Sequence, residues 1–201
     1  MSHDRIFIVD DDPDIRESLR LLLEADGLAT QVFGSAEAFL SESSAKRGCL
    51  VADIRMTGMS GLELLEEVQR RQWRLPVIVM TGHADIPLAV RAMKAGAVDF
   101  LEKPFGSTRL IESLRRALAM GAPARHHMDD SQAARKLLTH LSSRERMVLD
   151  RLVQGAHNKT VANELGISAR TVEIHRAHIM LKMDASNLAD LVRAVLTAQS
   201  P

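Results

Sequence analysis

Asp10 and Asp11 follow the apolar run Arg5-Ile6-Phe7-Ile8-Val9, and Asp53 follows Cys49-Leu50-Val51-Ala52. Thr81 follows Val77-Ile78-Val79-Met80, and Lys103 comes just after Val98-Asp99-Phe100-Leu101. A carboxylate is a nucleophile. Clustered carboxylates suit a hard divalent cation with oxygen ligands, of which Mg2+ keeps waters and phosphate oxygens in its remaining positions. A hydroxyl and an ammonium suit the oxygens of a phosphoryl group. Phosphoryl transfer asks a protein mainly for positioning and charge neutralisation. The set supplies the parts: Asp53 as acceptor, acids for Mg2+, Thr81 and Lys103 for phosphoryl oxygens. Singly, each has an ordinary explanation: a solvated acidic loop at Asp10-Asp11-Asp12, a strand-end cap at Thr81, a surface amine at Lys103, a solvated carboxylate at Asp53. Their recurrence at four strand ends favours a joint role.

The elements that must hold these residues alternate. Short apolar runs at Arg5–Val9, Leu28–Phe33, Cys49–Asp53, Val77–Met80 and Val98–Leu101 read as strands buried on both faces. Between them lie helical patterns. Pro13 opens the first and Gly27 stops it; Ser35 caps the second; the third runs Ser60–Trp73, the fourth Asp85–Ala95 with Gly96 as stop, and the fifth Ser107–Met120. Five strands alternating with five helices predict a doubly wound, flavodoxin-like parallel sheet of order 2-1-3-4-5. In such a sheet ligands bind outside the carboxyl ends of the strands, where all five side chains fall.

The pattern breaks near Gly121. Residues 121–138 read as a linker: Gly121 to Asp130 has no apolar period, and Gln132–Leu138 extends as helix. The adjacent His126 and His127 read as solvated linker residues rather than metal ligands. From Leu141 the chain reads as all helix, with a capping-box start at Ser142 or Ser143 and Glu145. Asn158–Leu165, the turn Gly166-Ile167-Ser168 and Arg170–Met183 make helix, tight turn, helix, the helix-turn-helix pattern. A last helix, Asn187–Ala198, carries Leu188, Leu191, Val192 and Val195 on one face. The expected organisation is residues 1–120, a linker 121–138, and a small all-α domain 139–201.

Zero net charge hides an asymmetry. Residues 1–120 hold 15 Lys and Arg against 18 Asp and Glu, whereas residues 121–201 hold 11 against 8. An acidic front and a basic rear make nucleic acid a candidate partner for the rear. The one cysteine, Cys49, excludes a disulfide framework. No apolar run is long enough to cross a membrane and the first residues lack a signal-peptide pattern, so a cytoplasmic protein without a membrane partner is expected.

Residues 1–120 resemble the receiver domain of two-component response regulators, through Val9-Asp10-Asp11, Asp53, Thr81-Gly82 and Lys103-Pro104-Phe105. Ser35-Ala36-Glu37-Ala38-Phe39-Leu40, Met80-Thr81-Gly82-His83 and the stretch Ala92 to Phe105 narrow the likeness to the FixJ-type branch. The resemblance implies that a sensor histidine kinase phosphorylates Asp53. It implies that Mg2+ binds Asp11, Asp53 and the backbone carbonyl of Arg55, with Asp10 helping. Thr81 and Phe100 would be the switch pair, and the Lys103–Pro104 bond would be cis. The family commonly has proline where this chain has Thr57, which leaves φ freer and predicts a more mobile loop after Asp53. About residues 139–198 resemble the LuxR-type DNA-binding domain, through Leu141 to Arg146, Asn158-Lys159, Arg170 to Arg176 and Lys182-Met183. The second helix of such a motif enters the major groove. Glu173, Ile174 and Ala177, with Arg170, would then meet base edges; Lys159, Thr171, His175 and Arg176 would meet phosphates.

The expected protein is a phosphorylation-gated transcription regulator and not an enzyme, beyond slow self-dephosphorylation. Phosphoryl transfer to Asp53 would draw Thr81 and Lys103 inward and let Phe100 rotate in. That would repack a surface with Ile86, Val90, Arg91, Lys94 and Val98, through which two receivers dimerise. The dimer would bind a roughly palindromic duplex and act with RNA polymerase, activation being the expected sense. Two other classes stand beside this. A Mg2+-dependent phosphohydrolase would need a second acid or base near Asp53, and Asp53-Ile54-Arg55 offers none. A phosphorylation-independent DNA binder with a structural receiver would have no use for the complete acidic set.

Overall fold

The computed structural model describes residues 4–42, 47–82, 86–120 and 127–199. Five strands, β1 (Arg5–Val9), β2 (Thr30–Phe33), β3 (Gly48–Asp53), β4 (Val77–Thr81) and β5 (Asp99–Glu102), pair in parallel in the order β2-β1-β3-β4-β5. Their register sets which residues share one edge. Val9 lies beside Ala52, Asp53 beside Met80, and Thr81 beside Glu102. The residues next in line, Asp10 and Lys103, therefore emerge at the edge where Asp53 and Thr81 end their strands.

The strands alternate with α1 (Pro13–Ala25), α2 (Ala36–Ser41), α3 (Gly61–Arg70), α4 (Ile86–Lys94) and α5 (Ser107–Met120). Asp12 caps α1, accepting the N–H groups of Asp14 and Ile15 at 2.9 and 3.4 Å, with Pro13 in the first turn. Ser60 and Glu63 form a reciprocal capping box on α3. That helix ends at Arg70, short of Trp73, because Gln72 turns into the left-handed region at φ 54°. The core beneath α1 and α5 joins Ile6, Ile8, Val51, Ile78 and Met80 to Leu19, Leu23, Leu110 and Leu114.

The chain divides into two compact units, residues 1–83 with 95–124, and residues 84–94 with 125–201. The second unit holds α6 (His127–Leu138), α7 (Ser143–Val153), α8 (Asn158–Leu165), α9 (Ala169–Lys182) and α10 (Leu188–Gln199), and it includes α4. Within it α4 and α6 pack on α10, and α7 and α8 on α9. In α4, Ala89, Val90, Ala92 and Met93 are buried, and the helix clusters with the helical unit. Within the expected linker, residues 121–138, α6 occupies His127–Leu138. Helix starts at His127, ahead of the expected Gln132, and among the residues whose burial is described Ala134 and Leu138 are its buried apolar side chains. Gly121 to His126 of the expected linker, and His83 and Asp85, lie outside the described residues.

Of the two serines that might cap α7, Ser142 does so, in a capping box with Glu145. Glu145 is only 4% exposed and accepts Lys182 Nζ at 2.7 Å. Lys182 and Ser142 together pull its carboxyl down to about 2 from an ordinary 4.5. A carboxylate depressed in the folded state stabilises above its unfolded pKa, and that contribution is lost as pH falls through the folded value. Resistance of the helical unit to urea should therefore fall as pH drops from 4.5 toward about 2. Glu145→Gln should be less stable at neutral pH and show a flatter profile through that window. An equal slope in both proteins would refute the assignment.

Candidate functional site

Asp53 ends β3 with its side chain 7% exposed. Its Oδ1 accepts Lys103 Nζ at 2.6 Å and its Oδ2 accepts the Arg55 N–H at 2.7 Å. The same Nζ donates to Asp10 Oδ2 at 2.7 Å, so one ammonium bridges two buried carboxylates. Asp10 Oδ1 takes the Asp12 N–H at 2.9 Å, and the Asp10 carbonyl takes the Arg16 guanidinium at 2.7 Å. Burial pushes the Asp53 carboxyl up, and Lys103 opposes it only in part. Burial also works against the Lys103 charge, but the two carboxylates outweigh it and hold the ammonium above its ordinary range. The result is a carboxylate more basic than a solvated one, fixed beside a permanent cation.

The helix behind Asp53 needs a glycine. A Cβ on Gly61 would sit 2.1 Å from the Asp53 carbonyl oxygen, so only glycine lets α3 start this close. The Gly61 N–H donates to the Ile54 carbonyl at 3.1 Å.

The loop between them is held by hydrogen bonds. Thr57 gives both its N–H and its hydroxyl to Asp11 Oδ2, each at 2.8 Å. These two donors, the backbone one first, hold the Asp11 carboxyl below its usual range. The Met59 N–H donates to Glu37 on α2 at 3.0 Å. A proline at this position would lack the N–H and hydroxyl that here tie the loop to Asp11. Thr81 is fully buried and Phe100 is 5% exposed. The Lys103–Pro104 bond is cis, as expected.

Asp10, Asp11 and Asp53 present the hard oxygens that Mg2+ takes. Among the described residues no three acidic, His or Cys side chains close into a metal cage. Mg2+ does not need one, since it commonly binds through one or two carboxylates and fills its octahedron with water and phosphate oxygens. The donor set fits. The contact shown for Arg55 comes from its N–H rather than its carbonyl.

The residues expected on a dimer face divide. Arg91 and Lys94 are exposed, Val90 is buried, and Val98 is half-buried against the sheet core. Four contributors were not foreseen as such: Thr57 as a donor, Glu37, Arg16 and the buried Asp99. Asp99 Oδ1 accepts the Phe100 N–H at 2.9 Å and Arg109 at 3.1 Å; its Oδ2 accepts Ser113 at 2.6 Å and Arg116 at 2.7 Å. An acid inside an apolar strand, followed by Arg, Ser and Arg at helical spacing, was the legible signal.

The helix-turn-helix is built as α8, a turn and α9. Gly166 takes φ 64°, the left-handed stop that glycine favours. Ser168 then caps α9, accepting the Thr171 N–H at 3.0 Å. Val172 and Ile179 point into the unit. Arg170, Glu173, Ile174 and Ala177 are exposed, as is Lys159 on α8. The other expected phosphate contacts are less open: the Thr171 hydroxyl bonds Ser168 at 2.8 Å, and His175 and Arg176 are half-buried. Burial lowers the Arg176 guanidinium, with Glu173 opposing. His175 Nδ1 and Asn158 Oδ1 are buried without a hydrogen-bond partner.

Comparison with known proteins bears on both regions. The model of the response regulator receiver domain matches residues 6–115, and that of the luxR family of bacterial regulatory proteins matches residues 139–195. The chain is 50% identical over 194 residues to the transcriptional regulatory protein FixJ of Azorhizobium caulinodans, covering 96% of this chain and 92% of the relative. It is 48% identical to FixJ of Rhizobium meliloti over 95% of this chain and 94% of that one. Among solved structures it is similar to full-length FixJ from B. japonicum, with TM-score 0.56, 42% identity and 98% of each chain covered. It is also similar to the response regulator StyR, with TM-score 0.57, 40% identity and 97% and 99% covered.

Proposed function

The chain belongs to the FixJ-like two-component response regulators, transcription regulators that join a receiver domain to a LuxR-family DNA-binding domain, and from that premise we propose that Asp53 accepts a phosphoryl group from a histidine kinase and thereby controls DNA binding by α9. The observation that carries this is the Lys103 bridge between two buried carboxylates, one of them Asp53 at a strand end. An Asp53 oxygen attacks the phosphorus of a phosphohistidine; the P–N bond breaks, and the imidazole leaves with the bonding pair and takes up a proton. Lys103 then turns from the carboxylate pair to the new phosphoryl oxygens, and Thr81 offers its hydroxyl to them. Asp11 and Asp53, with Asp10, would hold Mg2+, which supplies charge neutralisation across the phosphoryl oxygens. Thr57 keeps Asp11 ionised and in place.

The phosphoryl group carries a charge of about −1.5 to −2 where the Asp53 carboxylate carried −1, beside Asp10 and Lys103. That changes the partners of β5 and of the helices around it. Dimerisation, with Arg91 and Lys94 on the pairing face, brings two readers to one duplex with two-fold symmetry. Such a regulator works in the cytoplasm, with RNA polymerase downstream as an activator's partner. The test is mass in solution, with and without beryllofluoride and Mg2+. A monomer that becomes a dimer only when Asp53 is intact is expected. An unchanged mass would remove dimerisation from the reading.

A further inference from the structure

The outward face of α9 has an unusual composition for a helix that meets DNA. Arg170, Glu173, Ile174, Ala177, His178 and Leu181 lie at i, i+3, i+4, i+7, i+8 and i+11, one face of the helix, and all are exposed. Only Arg170 and His178 can carry positive charge. Ile174 is 48% exposed and Leu181 81%, two of the five exposed large apolar side chains among the described residues. The opposite face is spent on the unit's interior through Val172, Ile179 and Met183, so this stripe is free to meet a ligand. Among the described residues Glu173 makes no hydrogen bond or ion pair, and its charge acts on the half-buried Arg176 guanidinium. Exposed Lys159 on α8 and Arg170 at one end lie beside the stripe as candidate phosphate partners, while Lys182 at the other end is held by Glu145 at 2.7 Å.

We propose that α9 reads its DNA half-site through a thymine methyl, held by Ile174 with Ala177, and through the amino group of a cytosine, held by Glu173. The inference rests on the DNA-binding reading above and deepens it. In the major groove only thymine offers a methyl, and apolar side chains pair with it. A carboxylate accepts from cytosine N4–H2; the other exocyclic amino group, on adenine, lies beside the N7 acceptor, which repels a carboxylate. An unpaired carboxylate among phosphates is otherwise a repulsion, so its place mid-stripe is explained by a donor that meets it. The guanine contact that Arg makes with O6 and N7 is open only to Arg170, at the helix edge.

The test uses the full-length chain with beryllofluoride and Mg2+. A bound sequence is first selected from randomised duplex DNA, and thymines in it are then replaced one at a time by deoxyuridine, which removes only the methyl. At one or two positions per half-site affinity should fall roughly fourfold, the worth of one buried methyl-sized group. In Ile174→Ala the same replacement should cost nothing further. Repeating the selection with Glu173→Gln should exchange cytosine for adenine at one position, since Gln pairs adenine N6 and N7. Uracil without effect at every position, or an unchanged consensus in the Gln variant, overturns the inference while leaving DNA binding intact. No bound sequence at all would instead overturn the DNA-binding reading itself.

Discussion

An Asp53→Asn protein is expected to take up no phosphoryl group from a phosphohistidine kinase domain or from acetyl phosphate, a complete loss rather than a slowed reaction. The amide keeps the shape of the side chain but is no nucleophile. The nearest other acids cannot replace it. Asp10 has a side chain 2% exposed and both oxygens engaged, by Lys103 and by the Asp12 N–H. Asp11 is exposed, but Thr57 holds one of its oxygens with two hydrogen bonds. The variant should fold, because Asn relieves the burial cost that pushes the Asp53 carboxyl up while Lys103 keeps Asp10 as its partner. The readout is hydroxylamine-labile phosphate on the intact protein. Label persisting on the Asn variant would move the acceptor to Asp10 or Asp11.

Asp99→Ala should destabilise the sheet unit by about 2–4 kcal/mol. The carboxylate is fully buried and joins the Phe100 N–H, Ser113 and two arginines. Its removal strands the Ser113 hydroxyl, also fully buried, at the cost of an unsatisfied polar group. The side chains of Arg109 and Arg116 are 25% and 42% exposed and can regain water, which keeps the loss below that of a wholly buried ion pair. Asp99→Asn keeps part of the hydrogen bonding and should lose less. Urea midpoints equal to wild type would show that the network contributes nothing net.

The sheet was legible because its signals are short and redundant. Apolar runs ending in Asp10, Asp53, Thr81 and Lys103 mark both the strands and the edge where they end, and the observed order β2-β1-β3-β4-β5 is the expected one. What escaped depends on three-dimensional pairing. Thr57 looked like a lost proline, since the gain, two donors to Asp11, needs a partner 46 positions away. Glu37 meets Met59 across 22 positions with no pattern to announce it. Val90 lies on a helix whose spacing shows an apolar face but not what covers it, so a residue expected on an open pairing surface proved buried. In α9 the outward stripe was visible as residue types; which cations stand open was not, and His175 and Arg176 are more enclosed than their charge suggested.

The central claim is that the state of Asp53 sets the affinity of α9 for DNA. The most direct measurement is the equilibrium affinity of the full-length chain for its selected duplex at fixed salt, with and without beryllofluoride and Mg2+, in wild type and in Asp53→Asn. Wild type should bind about 5–150-fold more tightly when activated, the range of ordinary coupling between sites, and the Asn variant should not respond. Equal affinity in all four states would contradict the account and leave a DNA binder indifferent to its receiver.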